Sequence, residues 1–586
     1  MCSIIGYYGN DSAAPILVNG LKRMEYRGYD SVGVATKSDG TIQVRKGVGK
    51  VAEVNNSVRL DKLPGRVGIG NTRWATHGKV TEANAHPHPS SSGKIAIVHN
   101  GIIENFKELK EDLQKNGYNF LSETDSEVIA NLLQKYYEQT SDVKKSIINT
   151  VSKLKGHYAF VAMFENGTLA AARFHEPMII GIGKDDYFLS SDVLGFIEKT
   201  DDVIYIDNGD FVLLDQTGLQ ICDFDGNPVK HQITKVSKEF ADAYKGDYAH
   251  FTLKEISEQP ETILRAGEKT QEEIEFASDF IKHAKTVYIT GSGTSYNAAL
   301  VAKYLMSKYA KIKIEPIISS ELPTLPDSIE SNSILIAISQ SGESADVLEA
   351  VNIAKKSNAK ILSIANHKNS TLVHESSLFL GMNCGPEIGV AATKSFTSQL
   401  AILYKITDKL CDGCLELNFK KVSDSIAQVL SNHSKIQAIS KDLKNVTDIY
   451  VLGRGIHYPI ASEAALKLKE LTYIHAEGIP GGELKHGPLA LMDSNVYVII
   501  LNPNDSTYSD TLTSASEIKA RGAKIIGISD KKSDVYDYWI EIPSISESMF
   551  PMIEIIPIQL LAYYSAIEKD TDPDYPRNLA KSVTVK

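Results

Sequence analysis

Thr286-Val-Tyr-Ile-Thr-Gly-Ser-Gly-Thr-Ser-Tyr-Asn-Ala-Ala-Leu300 and Asp448-Ile-Tyr-Val-Leu-Gly-Arg-Gly-Ile-His-Tyr-Pro-Ile-Ala-Ser462 are one construction written twice: an apolar strand, a Gly-x-Gly turn and the start of a helix. Each is followed by a second strand (Ile334–Ser339; Val496–Leu501), a polar helix start and a third strand (Ile361–Ala365; Ile525–Ser529). Strands alternating with helices at this spacing make a doubly wound parallel α/β unit, here in two copies, and such sheets bind ligands beyond the carboxyl ends of their strands.

The first copy is equipped for an anion. Ser292-Gly-Thr-Ser295 and Ser339-Gln-Ser-Gly-Glu-Ser344 each place hydroxyls and unpaired backbone N–H groups at a helix N-terminus, where the aligned peptide dipoles favour phosphate. A Ser-rich N-cap explains either loop alone, but explains less well two such loops at matching places in one sheet. A dinucleotide site fits poorly, because Tyr296 stands where the third glycine of Gly-x-Gly-x-x-Gly belongs. The second copy has Arg454, Ile456 and His457 in place of the small residues, and continues into Glu463-Ala-Ala-Leu-Lys-Leu-Lys-Glu470. Glu463, Lys467 and Glu470 share one helix face, ordinarily a solvated, salt-bridged one. A Gly-rich loop with His486 (Gly481–Pro488) and the tail Pro576–Lys586 complete this half.

Residues 1 to about 235 read differently: short β-runs (Ser3–Tyr8, Ser31–Thr36, Ile42–Lys46, Val67–Asn71, Ile95–His99 and, after Tyr158, four more) separated by a few helices. Pro15–Arg27 and Asn105–Gly117 have helical spacing, and Thr124-Asp-Ser-Glu127 has the form of a capping box opening a further helix. The pattern implies stacked sheets with helices outside. Its chemistry-bearing residues sit where strands end: Cys2; Arg27-Gly-Tyr-Asp-Ser31; Thr72-Arg-Trp-Ala-Thr-His-Gly78; and His99-Asn-Gly101. Read singly, each is also what a hydrogen-bonded loop looks like. Residues 240–257 mix aromatic, charged and small side chains without a sustained period and read as a connector, after which Thr262 to about His283 reads as one helix.

Composition limits the rest. A chain of 586 residues supports several domains. A net charge of −11 disfavours a nucleic-acid partner. Five cysteines without an N-terminal apolar segment point to a reducing, cytoplasmic setting rather than a disulfide framework. Cys411-Asp-Gly-Cys414 has spacing compatible with metal binding or redox cycling, but without a second Cys or His pair nearby it reads as incidental thiols at a helix end. The apolar stretch Met549–Ile567 is interrupted by Pro551, Glu554, Pro557 and Gln559 and reads as buried core rather than a membrane span.

Taken together, Cys2, Tyr26-Arg-Gly-Tyr-Asp30, Thr72–Gly78, His99-Asn-Gly101 and Ser122-Glu-Thr-Asp125 resemble the N-terminal-nucleophile (class II) glutamine amidotransferases. The resemblance implies an αββα sandwich in which Cys2, N-terminal once Met1 is removed, attacks glutamine with its own α-amine as base. Asn100 and the Gly101 N–H would form the oxyanion hole, with Arg73 on the substrate carboxylate, Asp125 on its ammonium, and Thr76 and His77 lining the pocket. Trp74 would gate an ammonia route, its alternative being an aromatic core residue. The two α/β copies resemble sugar isomerase (SIS) domains, implying that Thr294, Ser295, Ser339, Gln340, Ser341 and Ser344 hold a sugar phosphate. The whole chain, with its Leu579-Ala-Lys-Ser-Val-Thr-Val585 tail, resembles the glutamine:fructose-6-phosphate aminotransferase (isomerizing) family.

That family resemblance implies Lys581 as Schiff-base lysine, Glu470 as the base moving a proton between C1 and C2, and His486 as a ring-opening group from the neighbouring subunit. Glu463, Lys467 and the Val390 backbone would assist. It further implies glutamine and fructose 6-phosphate as substrates, a homodimer with a shared sugar site, no metal or organic cofactor, and no nucleic-acid or membrane partner. The expected division is a glutaminase domain over 2–235, a linker over 236–257, SIS domains over 258–425 and 426–570, and a catalytic tail over 571–586. A phosphosugar-sensing module and a class II amidotransferase using another sugar phosphate are the alternatives; a sensor would need the phosphate cup but not Lys581, Glu470 and His486.

Overall fold

The computed structural model describes residues 2–75, 77–236, 245, 247–269, 271–325, 327, 329–368 and 370–583. The chain divides into two compact units, one over residues 1–244 with 582–586 and the other over 245–581.

In the first unit, alternating apolar residues give two stacked, largely antiparallel sheets. One has the order Thr234–Lys235, Asp202–Tyr205, Ile179–Ile182, Tyr187–Ser190, Ser3–Tyr8, Val67–Arg73, Ser31–Ser38, Thr41–Val48; the other runs Gly218–Asp223, Asp210–Asp215, Leu169–Phe174, Gly156–Phe164, Ile95–Ile103, His88–Pro89. Ile4, Ile69, Val98, Val161, Ile180 and Val212 fill the space between the sheets. Outside, Leu113, Val128, Leu132 and Ile147 of the helices Phe106–Lys115, Glu127–Thr140 and Val143–Val151 cover the second sheet. The helix Ala13–Arg23 lies over the first, where Gly68 and Gly70 make room for Leu17 and Leu21. This is the expected αββα sandwich.

The capping box is realised differently from its sequence form. The helix begins at Glu127 after Ser126, and the Glu127 carboxylate reaches further back, accepting from the N–H groups of Leu121 (2.8 Å) and Ser122 (2.7 Å).

The second unit holds two five-stranded parallel sheets of identical order: Ile314–Ile318, Val287–Gly291, Ile334–Ser339, Lys360–Ala365, Leu378–Gly381, and His475–Pro480, Asp448–Gly453, Tyr497–Leu501, Lys524–Ser529, Tyr538–Glu541. One continuous core serves both copies, built in large part from the helices Lys394–Leu410, His457–Thr472 and Phe550–Glu568. The last of these has the length and apolarity of a membrane span, but 89% of its most apolar window is buried inside the protein, as the sequence suggested for core.

Three local expectations change here. The stretch read as a connector contains a helix, Phe251–Ser257, whose Ile256 is fully buried in the second unit's core. The single helix expected over Thr262–His283 is two, Gln259–Gly267 and Gln271–Lys282; Gly267 ends the first, packed so closely on the Phe419 ring that a Cβ there would lie 2.7 Å from it. Cys411 and Cys414 are joined in a disulfide. Positive φ at Asp412 and Gly413 folds the chain back after helix Lys394–Leu410, bringing the two thiols together.

Candidate active sites

In the first unit, Cys2 heads the strand Ser3–Tyr8, whose neighbour Val67–Arg73 delivers Arg73 and Trp74 beside it. The Cys2 Sγ accepts a hydrogen bond from the Trp74 N–H (3.2 Å) and lies 3.5 Å from the Trp74 carbonyl. Burial pushes the thiol pKa up, against the opposing pull of the Trp74 amide and the Arg73 guanidinium, so the sulfur needs a base to become a nucleophile. Asn100 arrives from the second sheet: its Nδ2 donates to the Cys2 carbonyl (2.9 Å), while Asn71 Nδ2 donates to its Oδ1 (3.4 Å) and fixes the amide's orientation. Gly101 has φ +114°, and a Cβ there would lie 2.0 Å from the His157 carbonyl oxygen, so no other residue fits.

Asp125 is buried and accepts from the Ile103 N–H (2.8 Å), which ties the Ser122–Asp125 segment to the strand end after Asn100 and Gly101. Arg73 is also buried, and its guanidinium donates to the carbonyls of His77, Gly78 (3.4 Å) and Lys79 (3.3 Å). The Trp74 ring stands edge-on to Tyr29 at 5.9 Å, and the His77 ring edge-on to Phe106 at 5.5 Å. Thr76 lies outside the described residues. Asn71, which the sequence reading passed over, is identified only by its cross-sheet hydrogen bond; a polar residue inside a strand carries no positional signal of its own.

In the second unit the strands Val287–Gly291 and Ile334–Ser339 are adjacent and parallel, so the helices that follow them start side by side. Ser339 Oγ accepts from the Gly342 N–H (3.0 Å) and meets Ser344 Oγ at 3.2 Å; Ser341 Oγ accepts from the Glu343 N–H (3.1 Å). The Gln340 carbonyl accepts from the Asn366 N–H (3.1 Å), and Ser295 Oγ from the Gln399 amide (3.1 Å). The Thr294 hydroxyl donates to Glu463 (3.0 Å) and accepts from Lys467 (3.2 Å).

The Glu463–Lys467–Glu470 face is not solvated, since Glu463 and Lys467 are fully buried. Asn297 Nδ2 donates to Glu463 (2.8 Å), and the Lys467 Nζ lies 3.4 Å from Glu463 and 2.6 Å from Glu470. Burial alone would discharge Lys467, but Glu463 and Glu470 overcome it and hold the ammonium above the ordinary lysine range.

The Lys581 side chain is buried on a carboxylate that the sequence reading did not single out. Its Nζ donates to Glu387 Oε2 at 2.5 Å. Glu387 also accepts from the Thr393 and Ser395 N–H groups (3.0 Å each) and the Ser395 hydroxyl (2.7 Å), at the start of helix Lys394–Leu410. Burial opposes its charge, yet Lys581 and these donors bring its pKa down to about 2. Beside it Glu255 accepts from the Ile388 N–H (2.5 Å) and Gly389 N–H (3.2 Å), and burial with the Glu387 charge pushes its pKa up to about 8. Val390 follows on this loop and donates its N–H to the Asp574 carbonyl (3.1 Å), while the Asp574 carboxylate accepts from the Phe251 (2.9 Å) and Thr252 (2.8 Å) N–H groups.

His486 ends the turn Gly481–His486, is exposed, and shares no hydrogen bond or ion pair with Lys581, Lys467 or Glu470 among the described residues. In the second copy, at the place matching Ser295, a fully buried His457 bridges Glu554 (2.9 Å) and Asp505 (2.8 Å). Burial disfavours the charged ring, but the two carboxylates push its pKa up to about 10.

Comparison with known proteins agrees with this division. Residues 72–196 match the glutamine amidotransferase domain, and residues 280–407 and 442–569 each match the SIS domain. A glutamine amidotransferase domain joined to a pair of SIS domains is the class that fold and sites define. The chain is 41% identical over 601 residues to the glutamine–fructose-6-phosphate aminotransferase (isomerizing) of Pyrococcus horikoshii and 40% identical over 597 residues to that of Aquifex aeolicus, covering all of each. The C-terminal domain of glucosamine-fructose-6-phosphate aminotransferase from Francisella tularensis superposes with a TM-score of 0.52 at 37% identity, over 57% of this chain and all of that one. The chain belongs to the glutamine–fructose-6-phosphate aminotransferase (isomerizing) family.

Proposed function

We propose that the chain converts fructose 6-phosphate and glutamine to glucosamine 6-phosphate and glutamate. Cys2, with Met1 removed and its α-amine as base, attacks the glutamine carboxamide; the carbon–nitrogen bond breaks, ammonia leaves, and water hydrolyses the thioester. Asn100 and the Gly101 N–H stabilise the oxyanion, Arg73 holds the α-carboxylate and Asp125 the α-ammonium, with Trp74, Thr76 and His77 around the substrate. Of these, Arg73 is already turned towards its own loop's carbonyls and keeps donors to spare for a carboxylate.

At the second site, the Ser295, Ser339, Gln340, Ser341 and Ser344 loops bind phosphate. Lys581 condenses with the open ketose, losing water to form an imine, and ammonia then replaces the lysine nitrogen. Glu470 carries a proton from C1 to C2, so the ketose imine becomes an aldose amine. Thr294, Glu463 and Lys467 brace Glu470, and Val390 meets the sugar through its backbone. His486, exposed and unpaired with this cluster in its own chain, serves ring opening in the partner's site of a homodimer. The domain division is that of the sequence reading, with the helix Phe251–Ser257 counted with the sugar-binding half.

The observation that carries this reading is the pairing of a tail lysine, Lys581, with a buried carboxylate whose charge also acts on Lys467; a phosphosugar sensor has no use for it. The test is product analysis with glutamine and a panel of ketose phosphates. Equal amounts of glutamate and glucosamine 6-phosphate, formed from fructose 6-phosphate and no other ketose, are expected. Glutamate without an amino sugar would overturn it.

A further inference from the structure

Lys46 projects from the edge strand Thr41–Val48 onto the segment that follows the Arg73 loop. Its Nζ donates to the carbonyls of Ala85 (2.6 Å), Ala83 (3.2 Å) and Pro87 (3.4 Å). An ammonium has three protons, and three carbonyls of alternate residues take them. On the neighbouring strand Gly33 pairs with Lys46, and a Cβ there would lie 2.1 Å from the His86 carbonyl, so the segment rests directly on the sheet.

The same segment is linked onward to the glutamine pocket. Asn84 Nδ2 donates to the Lys79 carbonyl (2.9 Å) and to Glu123 (3.1 Å), and Asn84 Oδ1 accepts from the Glu123 N–H (2.9 Å). Lys79 is in turn one of the residues whose carbonyls hold the Arg73 guanidinium. Residues 77–87 are therefore pinned by a cation at each end, Arg73 near the pocket and Lys46 far from it, with Asn84 and Glu123 between.

We propose that Lys46 is a positioning residue for glutamine: its ammonium fixes residues 83–87 and, through Asn84 and Glu123, the carbonyls that aim the Arg73 guanidinium at the substrate α-carboxylate. The inference rests on Arg73 being the carboxylate partner. The charged groups around Lys46 are Glu127 and Glu82, which favour its proton, and Arg73, which opposes it; the buried imidazoles of His86 and His88 also face it. Burial is the largest influence and lowers its pKa to about 8. Above that pH the neutral amine has two donors for three carbonyls and turns a lone pair towards one of them, so the hold on the segment weakens.

The experiment is steady-state glutaminase kinetics on the full chain. Lys46→Met raises KM for glutamine about tenfold, the loss of roughly one charge-assisted hydrogen bond, with kcat nearly unchanged and with glutamine-independent fructose 6-phosphate isomerisation intact. Wild-type KM rises between pH 7 and pH 9, whereas Lys46→Arg, charged throughout, keeps a low KM and loses that rise. An unchanged KM in a folded Lys46→Met protein overturns the proposal, as does an unchanged pH profile in Lys46→Arg or a parallel loss of kcat, KM and melting temperature. Arg73→Ala is the control: if its KM is normal, the pocket assignment fails, independently of the result at Lys46.

Discussion

The Nζ of Lys581 lies 2.5 Å from Oε2 of Glu387, a carboxylate buried 194 residues away in sequence. Glu387 fixes the position of the amine on which the proposed reaction depends, and the incoming ketose must displace the carboxylate to reach Nζ. Glu387→Gln leaves Lys581 without its counter-ion. We expect glucosamine 6-phosphate formation to fall about 10- to 100-fold, in line with losing one hydrogen bond between charged groups, with glutaminase turnover kept. Borohydride reduction with fructose 6-phosphate should trap the sugar on the peptide containing Lys581 in the wild type and much less in the variant. Equal trapping in both would remove Glu387 from the site.

Cys2→Ala removes the sulfur and keeps the Asn100 contact, which is made to the backbone carbonyl. Glutamate release should drop by at least about 10⁴-fold, as for other lost nucleophiles, while isomerisation of fructose 6-phosphate persists. Glutamate assay and sugar-phosphate analysis on one sample separate the two.

The first unit should be acid-labile. His99 is buried on Ser126 (2.8 Å), and desolvation brings its pKa from an ordinary 6.5 down to about 4; the same cause lowers His86 and His88. Below pH 6.5 the unfolded chain binds protons that the folded state refuses, so stability falls as pH drops from 6.5 to about 4. The loss is about 3 kcal/mol for His99 alone. Urea denaturation followed at pH 7, 6 and 5 should show the midpoint of the glutaminase transition moving down; a pH-independent midpoint would contradict it.

Mixed dimers test the placement of His486. Lys581→Ala and His486→Ala chains, each inactive in synthesis alone, should recover up to about a quarter of wild-type activity when refolded together in equal amounts, because about half of the dimers are hybrids and one of the two sites in each has both residues. Without recovery, His486 acts within its own chain or not at all.

Much of this architecture is written locally. The Gly-x-Gly turns at 291–293 and 453–455 sit between an apolar run and a helix start, and such short-range patterns survive folding unchanged. The clusters around Cys2, Arg73 and Asn100 were legible for the same reason: each lies at a strand end, and the sandwich brings strand ends together. What was not legible depends on distant partners. Glu387 stands in a loop without periodicity, and its partners are the distant Lys581 and the groups around the helix start, Thr393 and Ser395. Glu463 and Lys467 have the spacing of a surface pair and became buried because Thr294 and Asn297, from the other copy, supply the polar partners. The break between Gly267 and Gln271 answers to Phe419, far along the chain.

The two SIS copies share strand order but not the residues that stand at their strand ends. Where the first copy has Ser295, whose hydroxyl accepts from the Gln399 amide, the second holds Asp505 against the His457 ring, its other oxygen taking the Thr507 N–H and hydroxyl at 2.8 Å each. That is how a helix N-terminus receives a phosphate oxygen, so the duplicated berth is occupied by the chain's own carboxylate. On the proposed reading the doubled fold takes one sugar phosphate per polypeptide, and calorimetric titration should saturate at a ratio of one, the second copy's share of the symmetry being spent on scaffold.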